Sequence, residues 1–411
     1  MIENDSQRLR DLILLGTSLT EVKDLDVLME RILSAAREFV NCDAGSIYIK
    51  EEDHLLFSYA QNDTLAGRLA PGQKLIYTTF KVPINNNSIA GHVASIGEQV
   101  NIEDAYDLPE GLPFSFDKQY DENADYRTRS ILTVPLKTRN KKIIGVLQLI
   151  NRLNERREFV GFDSELEPYV AFFASSAAGA LAQAQLTRTI LLRMISMAEL
   201  RDPKETGNHV NRVAGYSVEI YETWAKKKKV RRKVLESNRD VLRMAAMLHD
   251  VGKVAISDMI LKKPARLNDD EYEVMKQHTV LGARLFSNPT SDFEEAAREV
   301  ALSHHEKFDG TGYPGYVNPF TGKPHSGKTD GNGFPLPKRG AEIPLFGRIV
   351  ALADVYDALS SNRSYKDAWD EDRVLSVIRE ENGRHFDPEV VDAFFDCLPT
   401  LRSVGKRYAD D

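Results

Sequence analysis

Two apolar helical stretches carry acids and imidazoles that a hydrophobic core cannot take up unpaired. MAAMLHDVGKV (244–254) sets His249 beside Asp250, and RIVALADVYDAL (348–359) sets Asp354 among alanine, leucine and valine. A buried charge is costly unless it is paired or coordinates a metal. Three more clusters share the region. Glu205 and His209 are four apart, hence on one face if helical; His278 lies in the amphipathic run MKQHTVLGARL; and His304-His305-Glu306 precedes DGTGYP. Six of the nine histidines fall between His209 and His325. One histidine on an apolar face is ordinary, but five such clusters within one region predict a polynuclear metal site on helices. Every candidate donor is nitrogen or oxygen, which disfavours structural zinc and favours iron, manganese or another borderline-to-hard metal. The eight candidates Glu205, His209, His249, Asp250, His278, His304, His305 and Asp354 exceed the needs of one ion, and Asp250 is the natural bridge. Paired metals suit phosphodiester hydrolysis.

The order and wording of these motifs over about 190–397 resemble the HD-GYP family, with HD at His249-Asp250 and GYP at Gly312-Tyr313-Pro314. The resemblance implies an all-α domain that hydrolyses cyclic di-GMP to pGpG or GMP, with the eight residues as metal ligands. Glutamate at Glu205 implies a third metal, so three irons are favoured over two, with manganese as a substitute. It further implies that catalysis uses Asp250 and Lys253. Substrate would be met by Lys253, by the loop Gly312, Tyr313 and Pro314, and by Arg363 and Lys366 on phosphate. The sequence departs from the family between Pro314 and Ile343, where roughly twenty extra residues rich in Gly, Pro and Lys are expected as a loop able to act as a lid. His325 within it is expected to be an exposed loop residue.

The N-terminal part reads as α+β. Apolar spacing predicts helices over 4–20 and 24–40. GSIYIK (45–50) with HLLFSYA (54–60), and ILTVPLKT (131–138) with KIIGVLQLIN (142–151), read as hairpins of an antiparallel sheet. Ser88 and Gly97 bracket a short helix. Residues 24–185 resemble a GAF domain through SIAGHVASIGEQVNIEDAY and RSILTVPLKTRNKKIIGVLQLIN. That implies a sensor for an unknown small molecule and a dimerisation role. The cyclic-nucleotide signature of the family is incomplete here: Asn151-Arg152, Phe159, Asp163 and Ser164 stand where the pattern has Asn-Lys, Phe and Asp-Glu. A structural Arg152–Asp163 pair is expected instead.

Between these parts a long helix is expected over about 164–201. Leu166, Val170, Phe173, Ala177, Ala180, Ala184, Thr187, Leu191, Met194 and Ala198 alternate in steps of four and three, a heptad seam predicting a parallel homodimer. The alternative is a face packed on the chain's own sheet. The organisation expected is thus a GAF-like sensor over 1–165, a signalling helix over 166–200 and an HD-GYP domain over 201–411.

Composition narrows the function. A formal charge of −8 excludes a broad binder of DNA or RNA polymer. Cys42 and Cys397, far apart, offer no disulfide framework and fit a reducing, cytoplasmic setting. The uncharged stretch 168–187 is mostly alanine with Ser and Gln, too weakly apolar for a membrane span. The run 226–233, seven basic residues in eight, is expected to be a solvated helix end. Rival readings remain: hydrolysis of another cyclic dinucleotide, hydrolysis of nucleoside triphosphates, or a non-catalytic cyclic di-GMP receptor.

Overall fold

The computed structural model describes residues 2–69, 80–199, 207–361 and 369–408. The chain divides into two compact units, Met1–Arg188 and Thr189–Asp411.

The first unit is α+β, as expected. Its helices are α1 (Ile2–Leu19), α2 (Leu25–Val40), α3 (Asp63–Ala66), α4 (Ile89–Ile96), α5 (Gln119–Ala124) and the first part of α6 (Glu167–Glu199). Its strands are β1 (Cys42–Glu51), β2 (His54–Asn62), β3 (Lys81–Pro83), β4 (Val100–Ile102), β5 (Ile131–Lys137), β6 (Ile143–Leu153) and β7 (Phe159–Val160). They form one sheet in the order β3-β2-β1-β6-β5-β4, with β7 on β6 and every pair antiparallel. The hairpins β1–β2 and β5–β6 are those read from the sequence. Local chemistry sets the helix ends. Asp24 accepts from the amides of Asp26 and Val27 at 3.0 Å, Ser88 accepts from Gly91 N at 3.1 Å, and Gly97 closes α4 at φ +74°.

Alternation along β1, β5 and β6 sends Ile47, Leu132, Val134, Leu147 and Leu149 into a core completed by α1, α2 and α6. Here the structure corrects the expected dimer seam. Val170, Phe173, Ala177, Ala180 and Ala184 are all buried in that core, so this face is covered within the chain and is not free for a second copy. In the same unit Phe172 and Leu186 of α6 are exposed, at 46% and 61%, while Met194 of the expected seam, in the second unit, is itself 40% exposed. Among the described residues no helix is long and apolar enough to cross a membrane.

The second unit is helical: α7 (Gly207–Lys227), α8 (Arg232–Met247), α9 (Asp258–Leu261), α10 (Asp269–Lys276), α11 (His278–Leu285), α12 (Asp292–Ser303), α13 (Leu345–Ser360), α14 (Glu371–Glu380), α15 (Pro388–Asp396) and α16 (Leu398–Arg407). Helix α7 packs on α8, α13, α15 and α16, while α12 packs on α8, α11 and α13. Their shared core includes Val213, Ile220, Leu242, Ala245, Val300, Ile349, Leu352 and Phe394. The basic run is a paired helix end. Lys226 pairs with Glu222, Lys227 with Asp396 and Lys228 with Glu389, at 2.7, 2.5 and 2.6 Å.

Candidate metal centre

Six helical elements bring the donors together. His209 is on α7. His249 and Asp250 follow α8 at the start of a 3-10 turn (Val251–Ala255), His278 begins α11, His304 and His305 follow α12, and Asp354 lies inside α13. Gly252 allows the close approach of that turn to α11, since a Cβ there would collide with the carbonyl of His278 and the backbone of Gly282. Seven of the eight sequence candidates fall into two groups whose ligand atoms lie within 4.8 Å of one another: Asp250, His278, His304 and His305; and His209, His249 and Asp354. The eighth, Glu205, lies outside the described residues.

Asp250 stands between the groups. Its Oδ1 is 3.2 Å from His278 Nε2 and 3.5 Å from His304 Nε2, while its Oδ2 is 3.2 Å from His249 Nε2 and 2.8 Å from Lys253 Nζ. Asp354 Oδ1 lies 3.7 Å from His209 Nε2 and 3.9 Å from His249 Nε2. Burial pushes the Asp250 carboxyl up, but the ammonium of Lys253 beside it opposes this, and the group is held well below the usual carboxylate range.

Helix geometry fixes the tautomers. His249 Nδ1 faces the carbonyl of Ala246 at 2.8 Å, His278 Nδ1 that of Met275 at 2.8 Å, and His304 Nδ1 those of Val300 and Ala301 at 3.1 Å. A carbonyl only accepts, so each Nδ1 carries the proton and each Nε2 presents a lone pair to the cluster. The Nε2 atoms of His278 and His304 are only 3.4 Å apart, beside an anionic Oδ1 that makes no hydrogen bond. Lone pairs and a carboxylate oxygen converging in a buried space repel one another unless a cation lies among them. The residues therefore fit a metal. Burial also lowers the pKa of His304, and that of His305 strongly, keeping both rings neutral and able to ligate.

The orienting shell was not read from the sequence. His209 Nδ1 lies 2.8 Å from Asp357 Oδ2, and Asp357 is bound in turn by Arg212, Nε to Oδ1 at 2.6 Å and Nη2 to Oδ2 at 3.1 Å. Burial raises the Asp357 carboxyl, yet the bonds from His209 and Arg212 hold it below its ordinary value. The signal was present. Asp357 follows Asp354 by three residues on an apolar helix, and Arg212 follows His209 by three.

Around this centre, Tyr313 stacks on His305 with ring centroids 4.9 Å apart. Gly312 admits the tight loop, because a Cβ would meet the backbone of Lys307 and His305. Pro314 follows through a cis peptide bond. Glu306, 2% exposed, accepts from Gly315 N at 2.7 Å and so ties the extra loop to the HHE motif. The loop is folded rather than open-ended: Tyr316 N donates to Leu336 O at 3.0 Å, with isolated bridges at Val317–Pro324 and Thr329–Pro335. His325 is exposed and in neither donor group. Arg363 and Lys366 lie outside the described residues.

In the first unit the incomplete nucleotide signature is spent on structure. Arg152 pairs with Asp163 at 2.8 Å, and Asn151, at φ +57°, accepts from Arg129 N and donates to Tyr126 Oη and Arg127 O.

Comparison with known proteins agrees with both architectures. Residues 24–181 match the family model of the GAF domain and residues 206–359 that of the HD domain. The chain carries a GAF domain followed by an HD domain. A cyclic di-GMP phosphodiesterase of Vibrio cholerae is 40% identical over 234 residues, 56% of this chain and 43% of that protein. A cyclic di-GMP phosphodiesterase of Thermotoga maritima is 35% identical over 221 residues, 54% of this chain and 51% of that protein. A 3'3'-cGAMP-specific phosphodiesterase of Vibrio cholerae is 34% identical over 208 residues, 51% of this chain and 34% of that protein. The chain thus matches about half or less of the length of these relatives.

Proposed function

We propose that this chain hydrolyses cyclic di-GMP to pGpG, or on to GMP, at the two donor groups of its HD domain, under control of a small molecule bound by its GAF domain. The observation that carries the reading is Asp250, a single carboxylate whose two oxygens face different donor groups. Metal ions held there supply activation of water and stabilisation of charge on the departing oxygen. The chain's own residues do the rest. His209, His249, His278, His304, His305 and Asp354 present their donors on rigid helices, and Asp357 orients His209. Lys253, beside Asp250 Oδ2, faces the same centre and is suited to a non-bridging phosphate oxygen. Tyr313 walls the site over His305. Arg363 and Lys366 are proposed to hold phosphate and Glu205 to complete a third metal position.

Iron is the proposed metal, with two or three ions, three favoured, and manganese as substitute. The support is a donor set of imidazoles and carboxylates without thiolate. A cytoplasmic homodimer is proposed as the working assembly. Its contact would use the exposed residues Phe172 and Leu186 of α6, because the seam residues Val170, Phe173, Ala177, Ala180 and Ala184 are buried in the first unit's own core. A second reading, hydrolysis of a mixed guanine–adenine cyclic dinucleotide, is favoured by the relative specific for 3'3'-cGAMP. A purely binding receptor is disfavoured by the filled donor set. Turnover of cyclic di-GMP by iron- or manganese-loaded protein, with metal analysis of the same sample, tests the proposal. Binding without turnover would support the receptor instead.

A further inference from the structure

From the side-chain geometry next to the metal centre we infer that Tyr272 and Lys276 of α10 form a guanine-binding subsite, Tyr272 stacking on the base and Lys276 reading its edge. The inference rests on the proposed cyclic dinucleotide reaction and names which base the site takes. Tyr313 links this patch to the centre. It stacks on His305 on one side and meets Tyr272 on the other, with ring centroids 6.4 Å apart and nearly perpendicular. Tyr272 is 48% exposed, so part of its surface is open beside the reacting centre. Lys276 Nζ stands 5.4 Å from the Tyr272 ring centroid and 5.6 Å from that of Tyr313, within cation–π range of both. Glu273, at 2.5 Å, fixes the ammonium.

A substrate whose phosphate sits at Lys253 and the donor groups must lay its bases on neighbouring surface. The aromatic face gives stacking that tolerates any base. The edge contact does not. Lysine has three donors and no acceptor. Guanine presents O6 and N7, both acceptors, whereas adenine puts an amino donor where guanine has O6. Beside the ammonium, the Glu273 carboxylate offers the acceptor that guanine's N1–H needs. The pair thus complements guanine and opposes adenine.

The test is steady-state kinetics of metal-loaded full-length protein on cyclic di-GMP, 3',3'-cyclic GMP-AMP, cyclic di-AMP and bis(4-nitrophenyl) phosphate. Tyr272→Ala should raise KM for cyclic di-GMP by roughly 5- to 150-fold, the range for loss of one base–aromatic stack, with a much smaller effect on kcat. Tyr272→Phe should restore the wild-type KM. Lys276→Met should lower the preference of kcat/KM for cyclic di-GMP over cyclic di-AMP by at least roughly fivefold, the low end for one base-edge contact. A Tyr272→Ala enzyme with wild-type KM, or a Lys276→Met enzyme with wild-type base preference, overturns the subsite while leaving the phosphodiesterase reading intact. Wild-type protein that cleaves bis(4-nitrophenyl) phosphate but no cyclic dinucleotide overturns the proposed substrate, and the subsite with it.

Discussion

Asp357 Oδ2 lies 2.8 Å from Nδ1 of His209, and the same carboxylate takes two bonds from Arg212. This chain of three residues fixes the ring so that Nε2 faces Asp354. Orienting partners of this kind tune metal affinity as strongly as some ligands do. Asp357→Asn keeps the size and removes the charge. Metal affinity should fall about 10- to 100-fold, read by competition with a chelator. Unchanged affinity would mean that the bond serves only folding.

Lys253 is predicted to act on charge that grows during the reaction, not on the bound ground state. Lys253→Met should therefore lower kcat more than it raises KM. The lysine is not a ligand, so metal content per chain should stay at the wild-type level. A pure KM effect would assign Lys253 to ground-state binding alone.

The pH dependence has a definite sign. His304 and His305 have lowered folded-state pKa values through burial, and burial likewise drops His385 to about 4. An imidazole held neutral in the fold binds fewer protons than in the unfolded chain, where it titrates near about 6.5. Metal-free protein should thus be most stable above about pH 6.5 and lose stability as pH falls below it. Asp250 acts in the same direction, but only below its unfolded pKa of about 3.8. Thermal unfolding of chelator-treated protein between about pH 5 and 8 checks this. A flat profile contradicts the burial of neutral histidines.

The two sides of α6 should respond differently to charge. Phe173 is buried in the core of the first unit, whereas Phe172 is exposed. Phe173→Lys should cost at least about 3 kcal/mol of stability, from lost packing and a buried charge. Phe172→Lys should stay within about 0.5 kcal/mol in chain stability. Combined with Leu186→Lys, it should shift sedimentation from dimer to monomer. A dimer that survives both exposed-face changes would move the proposed contact away from α6.

Much of this was legible in the residues. Capped helices such as α2 and α4 follow from local chemistry at Asp24, Ser88 and Gly97, and the two hairpins from apolar runs split by the polar turns Glu51-Glu52-Asp53 and Arg139-Asn140. Seven of the eight expected metal donors converge, because each was an ionisable group in or at the end of a helical stretch packed into the core and needed a partner. The α6 seam was misassigned for a physical reason. Heptad spacing says which residues share a face but not what covers it, and here the chain's own sheet covers Phe173 and Ala177. The role of Asp357 was within reach, since a second buried carboxylate on α13 also required a partner. Tyr272 gave no signal at all, because its place beside Tyr313 depends on packing between α10 and a loop some forty residues away.

The central claim is that Asp250 joins two donor groups into one hydrolytic centre. Asp250→Ala tests it most directly, with cyclic di-GMP hydrolysis and metal content measured on the same preparation. The variant should fold, lose metal and show no detectable hydrolysis, because the group that spans both donor sets is gone. Near-normal hydrolysis of cyclic di-GMP by Asp250→Ala would contradict it.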